Sequence, residues 1–207
     1  MSSKKIKRPR DTAKIEFIEK KSVFIGFSTF VENEEQALEI IKRKKKEYHD
    51  ATHNVYAYVI GDTIARYSDD NEPQGTAGMP VLNAIKMSGI TDVLVVVTRY
   101  FGGILLGAGG LVRAYSTSAS MALEESGVMI YEDYNEYSVR LSYSDYGRLN
   151  IELMNYDVII DSTDFSDEIE ITFAVKAEIA KEFEDKIIDI FNGKLKLNYK
   201  KTRIDTK

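Results

Sequence analysis

The run Asp92 to Phe101, "DVLVVVTRYF", constrains this chain more than any other segment. Val93 to Val97 are aliphatic without a break. A half-buried strand alternates apolar and polar residues, so an unbroken β-branched run predicts a strand buried on both faces. At 207 residues the chain is long enough to bury a real core, as one large domain or two small ones.

The segment after the run is nearly as restrictive. "GGILLGAGG", Gly102 to Gly110, reads as a glycine loop. Leu111, Val112, Tyr115, Ala119, Ala122 and Leu123 then mark one helix face, closed at Gly127. Strand, glycine loop and helix start, in that order, can bind an anion through free N–H groups and the helix dipole. Glycine also lets a ligand approach the backbone closely. The candidate binding residues here are Gly102, Gly103, Gly107, Gly109 and Gly110, with Arg99 and Tyr100 at the strand end and Arg113 in the first turns of the helix. A cation there opposes the dipole, so Arg113 is expected to face an anion or a carboxylate. The competing reading is close packing of helix on sheet, with both arginines in structural salt bridges.

A second dense segment, "DDNEPQGTAGMP", covers Asp69 to Pro80 and uses two of the chain's three prolines. Asp69, Asp70, Glu72, Gly75 and Thr76 are its candidate binding residues. Metal binding is not expected, because the spacing does not match an EF-hand loop and extended backbone would send Asp69 and Asp70 to opposite sides. A turn held by pairing of these acids with Arg99 or Arg113 fits better, with a partner surface as the alternative. Asn71 suits a left-handed turn position, and Glu72, before a proline, should be extended. His49 and His53 are the only histidines. His53 enters a strand, where a structural or hydrogen-bonded role competes with a functional one.

Elsewhere the periodicity predicts two strands over Ile15 to Val31 joined near Lys20-Lys21, then a helix starting at Asn33-Glu34-Glu35-Gln36 with Ala37, Leu38, Ile41 and Tyr48 on one face. His53 to Gly61 and Thr63 to Ser68 read as a hairpin, and Val81 to Met87 as a short helix. The texture changes after about Tyr134: eight of thirteen glycines lie between Gly75 and Gly110, and two lie beyond residue 134. The tail reads β-α-β-β-α-β. Tyr137, Val139, Leu141 and Tyr143 alternate, as do Ile169, Ile171, Phe173 and Val175, and Leu195, Leu197 and Tyr199. Val158 to Ile160 form a short strand core. Tyr146, Leu149, Leu153 and Tyr156 have helical spacing, as do Ile179, Phe183, Ile187 and Ile190. That order fits a split, ferredoxin-like sandwich.

The absence of cysteine excludes a disulfide framework, a thiolate zinc site and a cysteine nucleophile. No apolar run reaches the roughly 18 residues of a membrane span. The basic start "MSSKKIKRPR" lacks the apolar core of a secretory signal, so a cytoplasmic location is the default. A net charge of -5 argues against nucleic-acid binding by the whole surface. Local basic segments remain at Lys4 to Arg10, at Lys42 to Lys46, and at Lys194, Lys196, Lys200, Lys201 and Arg203.

Together "ATHNVYAYVIG" (51–61), "SDDNEPQGTAGMPVL" (68–82) and "VVTRYFGGILLGAGGLVRAY" (96–115) resemble the IMPACT family of small translation-linked proteins. Two departures stand out: Asn71 replaces the family's usual glycine, and Val55 stands where many members carry cysteine. The resemblance implies an α+β chain. Its N-terminal domain, residues 1–134 with a basic tail over 1–12, would be ribosomal-protein-S5-domain-2-like. Its C-terminal domain, 135–207, would be a ferredoxin-like β-α-β-β-α-β unit. Eukaryotic members act on an initiation-factor kinase pathway through an extra N-terminal domain, which this chain is expected to lack, so that role does not carry over.

Two functions stay open at this point. The first is a non-enzymatic regulator of translation whose partners would be RNA, the ribosome or a translation factor. Arg99, Arg113 and Lys42 to Lys46 would bind phosphates, with Tyr56, Tyr58, Tyr100 or Phe101 stacking on bases. The second is an enzyme or ligand-binding protein for a phosphorylated small molecule, with Asp69, Asp70 or Glu72 as base or magnesium ligand. No nucleotide motif and no nucleophile–base pair stands out, so an enzyme is the less favoured expectation. No cofactor is expected, and a monomer is the default.

Overall fold

The structure is a computed structural model and describes residues 5–207, so the first four residues of the expected basic tail lie outside it. The described residues form a mixed α+β structure with two sheets and five helices. They divide into two compact units, Ile6–Ile130 and Tyr131–Lys207 with Lys5.

In the first unit, β1 (Ile6–Pro9) precedes an antiparallel sheet of β2 (Ala13–Glu19), β3 (Ser22–Phe30), β4 (His53–Ile60), β5 (Ile64–Ser68) and β6 (Val93–Tyr100), ordered β2-β3-β6-β4-β5. Lys20 and Lys21 both have positive φ (46° and 65°), the two-residue turn whose twist matches a hairpin. β6 is central, hydrogen-bonded to β3 and β4. Its Val93, Val95 and Val97 enter a core with α2 (Gly78–Ser88) and α3 (Gly107–Glu125). Its Leu94 and Val96 enter a separate core with α1 (Glu34–Glu47). The unbroken apolar run therefore serves two layers, as expected.

Asn33 caps α1, accepting the Gln36 N–H at 2.9 Å, while the Gln36 side chain takes the Glu32 N–H at 2.7 Å. That is a capping box displaced by one residue at its return bond. Leu38 is 52% exposed and Val112 39%, so neither sits on the buried face assigned from spacing; Ile40 takes the inward position on α1. α2 starts three residues earlier than expected, because Asp69 supplies its N-terminal acceptor from outside the periodic segment.

The second unit runs in the order β7 (Val128–Leu141), α4 (Tyr143–Asn155), β8 (Ile159–Phe165), β9 (Ile169–Lys176), α5 (Ala180–Ile190), β10 (Asn198–Asp205), with β7 crossing the boundary between units. The sheet that holds its strands is ordered β1-β7-β9-β8, with β10 also paired to β7, so that within the unit the order is β10-β7-β9-β8. Ile169, Ile171, Phe173 and Val175 face a core shared with Leu149, Leu153, Phe183 and Ile187. Two expectations fail at strand ends. Tyr143 is exposed and opens α4 instead of finishing β7. The last strand begins at Asn198, after Leu195 and Leu197 have packed onto the core. Alternation there reflects extended chain lying on the core, and pairing begins later.

Candidate functional site

The loop between β5 and α2 is built from its own acids. Asp70 and Asn71 are consecutive left-handed residues, φ 44° and 68°, which turns the chain sharply before Pro73. Asp69 accepts three N–H bonds, from Gly75 at 2.9 Å, Ala77 at 3.1 Å and Gly78 at 2.7 Å, and so caps α2. Asp70 accepts from Lys45 and from the Asn54 N–H at 2.6 Å, and its carbonyl meets His53 Nδ1 at 2.8 Å. Buried Thr76 donates its hydroxyl to the Pro73 carbonyl at 2.6 Å. Among the described residues no group of His, Asp and Glu is placed to hold a metal ion.

The third acid turns inward. Glu72 is 7% exposed and Arg99 5%, and Arg99 Nη1 donates to Glu72 Oε1 at 2.6 Å. The Tyr115 hydroxyl donates to the same oxygen at 2.7 Å, and His53 Nε2 stands 3.7 Å from it. The Arg99 guanidinium sits between the rings of Phe24 and Phe101, 5.5 and 5.6 Å from their centroids. Its Nη2 reaches Ser22 Oγ at 3.4 Å, while Nε has no partner. Burial first, then the Glu72 charge, pushes the Tyr115 phenol far above its ordinary 10.0, so it remains a donor.

The buried phenol makes stability depend on pH in the alkaline range. The unfolded chain ionises Tyr115 near 10.0 and the folded chain does not. Its contribution is intact below that pH and falls by about 1.4 kcal/mol per unit above it. Urea midpoints from neutral pH to about pH 11 should therefore drop more steeply for the wild type than for Tyr115→Phe. Parallel profiles would refute this.

The glycine segment divides. α3 starts at Gly107, inside the run assigned to a loop, so Gly109 and Gly110 are helical. Gly102 lies against the hairpin turn, its N–H donating to Ser22 Oγ at 3.2 Å. Gly103 and Gly107 have φ of +80° and +71°, and Gly75 +76°, as tight turns require. Arg113 does not meet the acids: it is exposed and makes no ion pair or hydrogen bond among the described residues. It stands two residues from Tyr115, about 200° around the helix, so the phase that buries one exposes the other. Tyr100 points away from Arg99 by strand alternation and donates to Asp50 at 2.8 Å. Tyr58 is buried with its hydroxyl on Glu34, and so is unavailable for stacking.

Sequence reasoning missed Tyr115 as a polar group, along with Ser22 and Asn54, and it gave Lys45 to phosphate where the structure pairs it with Asp70. The signal at Tyr115 was a phenol on an otherwise aliphatic helix face, which needs a partner for its hydroxyl. Beside Glu72 and Arg99 opens a cleft of about 410 Å³, walled by His53, Phe101, Leu105 and Leu111 and by Gly107 and Ala108.

Residues 20–123 match the family profile described as the Impact N-terminal domain, and residues 139–194 match a domain of unknown function, DUF1949. The chain is 37% identical to IMPACT family member YvyE of Bacillus subtilis (strain 168), over 89% of this chain and 86% of that protein. It is 34% identical to IMPACT family member YigZ of Escherichia coli (strain K12), over 86% and 89%. A solved structure described as a hypothetical protein superposes with a TM-score of 0.60 at 31% identity, covering 95% of this chain and 98% of its own.

Proposed function

Since the chain belongs to the IMPACT family, we propose that it is a non-enzymatic regulator of translation that binds RNA, the ribosome or a translation-associated protein in the cytoplasm. The distribution of charge carries the reading. Residues 131–207 hold 17 acids against 11 bases, whereas residues 6–130, the first unit, hold 16 against 15. Most of the acidity that argued against nucleic acid therefore belongs to the second unit, and the first is close to neutral. There the β-α-β-β-α-β order and the strand order β10-β7-β9-β8 support a ferredoxin-like assignment. Arg203 in that unit is already shared by Asp161, Glu136 and Asp205. The first unit, taken as ribosomal-protein-S5-domain-2-like, offers the contact surface.

On α1, Lys44 is buried against Phe27 and Lys45 is held by Asp70. Lys42, Arg43 and Lys46 are exposed and enter no ion pair among the described residues. They are the groups on this helix that are free for phosphate. The acidic loop supports the non-enzymatic half of the reading, because Asp69 and Asp70 spend both oxygens on the protein's own donors.

Replacing Lys42, Arg43 and Lys46 by glutamate tests this by ribosome co-sedimentation and RNA filter binding across a salt series. Wild-type binding should weaken steeply with salt. Loss of three phosphate contacts should lower the slope of log K against log salt by about 2. Salt-insensitive binding, or a triple variant that binds like the wild type, would overturn the proposal.

A further inference from the structure

The cleft beside Glu72 is unexplained by a translation-linked contact on α1. Its volume of about 410 Å³ falls within the range of small-ligand sites, about 300–1,000 Å³. Its walls are mostly apolar, and two buried polar groups on it are incompletely satisfied. Arg99, Tyr115 and His53 all address Glu72 Oε1, and among the described residues nothing reaches Oε2. Arg99 Nε has no acceptor. Opposite them, α3 begins at Gly107 with no side-chain cap and no acid in its first turn, and Gly107 and Ala108 line the cleft. The cleft thus has an acceptor, a set of backbone donors and an apolar wall.

We infer that this cleft binds a free apolar α-amino acid. The ammonium donates to Glu72 Oε2, the carboxylate accepts from the first N–H groups of α3, and the side chain lies against Phe101, Leu105 and Leu111. Charge decides against the phosphorylated ligand considered from sequence. A phosphate brings about −1.5 to −2, and a helix N-terminus offers about +0.5. Arg99 is already neutralised by Glu72, and Arg113 does not line the cleft. A phosphate would leave excess negative charge beside a buried carboxylate, whereas a zwitterion brings its own cation to that carboxylate.

Calorimetric titration of the full chain tests the assignment with L-leucine, L-phenylalanine, N-acetyl-L-leucine, L-leucinamide and inorganic phosphate. One of the two amino acids should bind saturably. Blocking the amine or the carboxylate should each weaken binding about tenfold or more. Leu105 is 83% exposed, so Leu105→Asp should leave thermal stability unchanged while weakening binding at least about tenfold. No binding of either amino acid at millimolar concentration, equal binding of the blocked compounds, phosphate binding in their place, or indifference to Leu105→Asp would each overturn it. The α1 variants do not touch the cleft, so the two proposals fail independently.

Discussion

Arg99→Ala is expected to destabilise the protein by about 3–5 kcal/mol, the range for removing one partner of a buried ion pair. The loss comes mainly from what remains. Glu72 would keep the Tyr115 hydroxyl on Oε1, but its charge would stay buried with no cation at hydrogen-bond distance. Ser22 Oγ would lose a donor, and the space between the Phe24 and Phe101 rings would empty. Urea unfolding of the single variants and of Arg99→Met with Glu72→Gln measures the effect. The double variant should recover most of the loss, because it removes both charges and keeps an acceptor for Tyr115. A single variant costing less than about 1 kcal/mol would show that solvent in the cleft screens the pair despite its burial.

Gly102→Ala should be the other severe change, at about 3 kcal/mol or more. A Cβ at Gly102 would lie 2.0 Å from the Lys21 carbonyl carbon, 2.1 Å from its oxygen and 2.3 Å from the Ser22 nitrogen. Those are backbone atoms of the β2–β3 turn, so the strain cannot be relieved by a side-chain rotation. Any shift also disturbs Ser22 Oγ, which receives both the Gly102 N–H and Arg99 Nη2. Gly109→Ala is the matched control. Its Cβ would have Arg113 Nη1 as its nearest neighbour at 3.6 Å, and alanine is the better helix former, so stability should hold or rise. Equal urea midpoints for the two variants would show that the β2–β3 turn moves aside without cost, against the packing role of Gly102.

Arg99 and Gly102 show how far sequence reasoning reached into the site. Both are ligand-binding candidates by sequence, and the geometry gives both a packing explanation. Each carries chemistry suited to either role, and the sequence holds no information on what stands about 2 Å away or which acid completes the pair. The expectation that one of the two arginines meets the acidic loop was correct for Arg99. It failed for Arg113 because dipole reasoning ignored the helical phase that already buried Leu111 and Tyr115. Asp69 and Asp70 likewise meet N–H groups whose positions follow only from the folded loop.

Apart from β1, which lies inside the expected basic tail, the sequence by itself determined the order of helices and strands, the hairpin at Lys20-Lys21, the doubly buried β6 and the change of texture into a β-α-β-β-α-β tail. Each of these is written in a local period or a turn residue, within one or two turns of chain. Tertiary structure alone decided that Glu72 meets Arg99 across 27 residues and Tyr115 across 43, that Arg113 faces outward, and that a cleft opens beside them. Such contacts depend on how three separately formed elements are stacked, and no periodicity within any one of them encodes the distance to another.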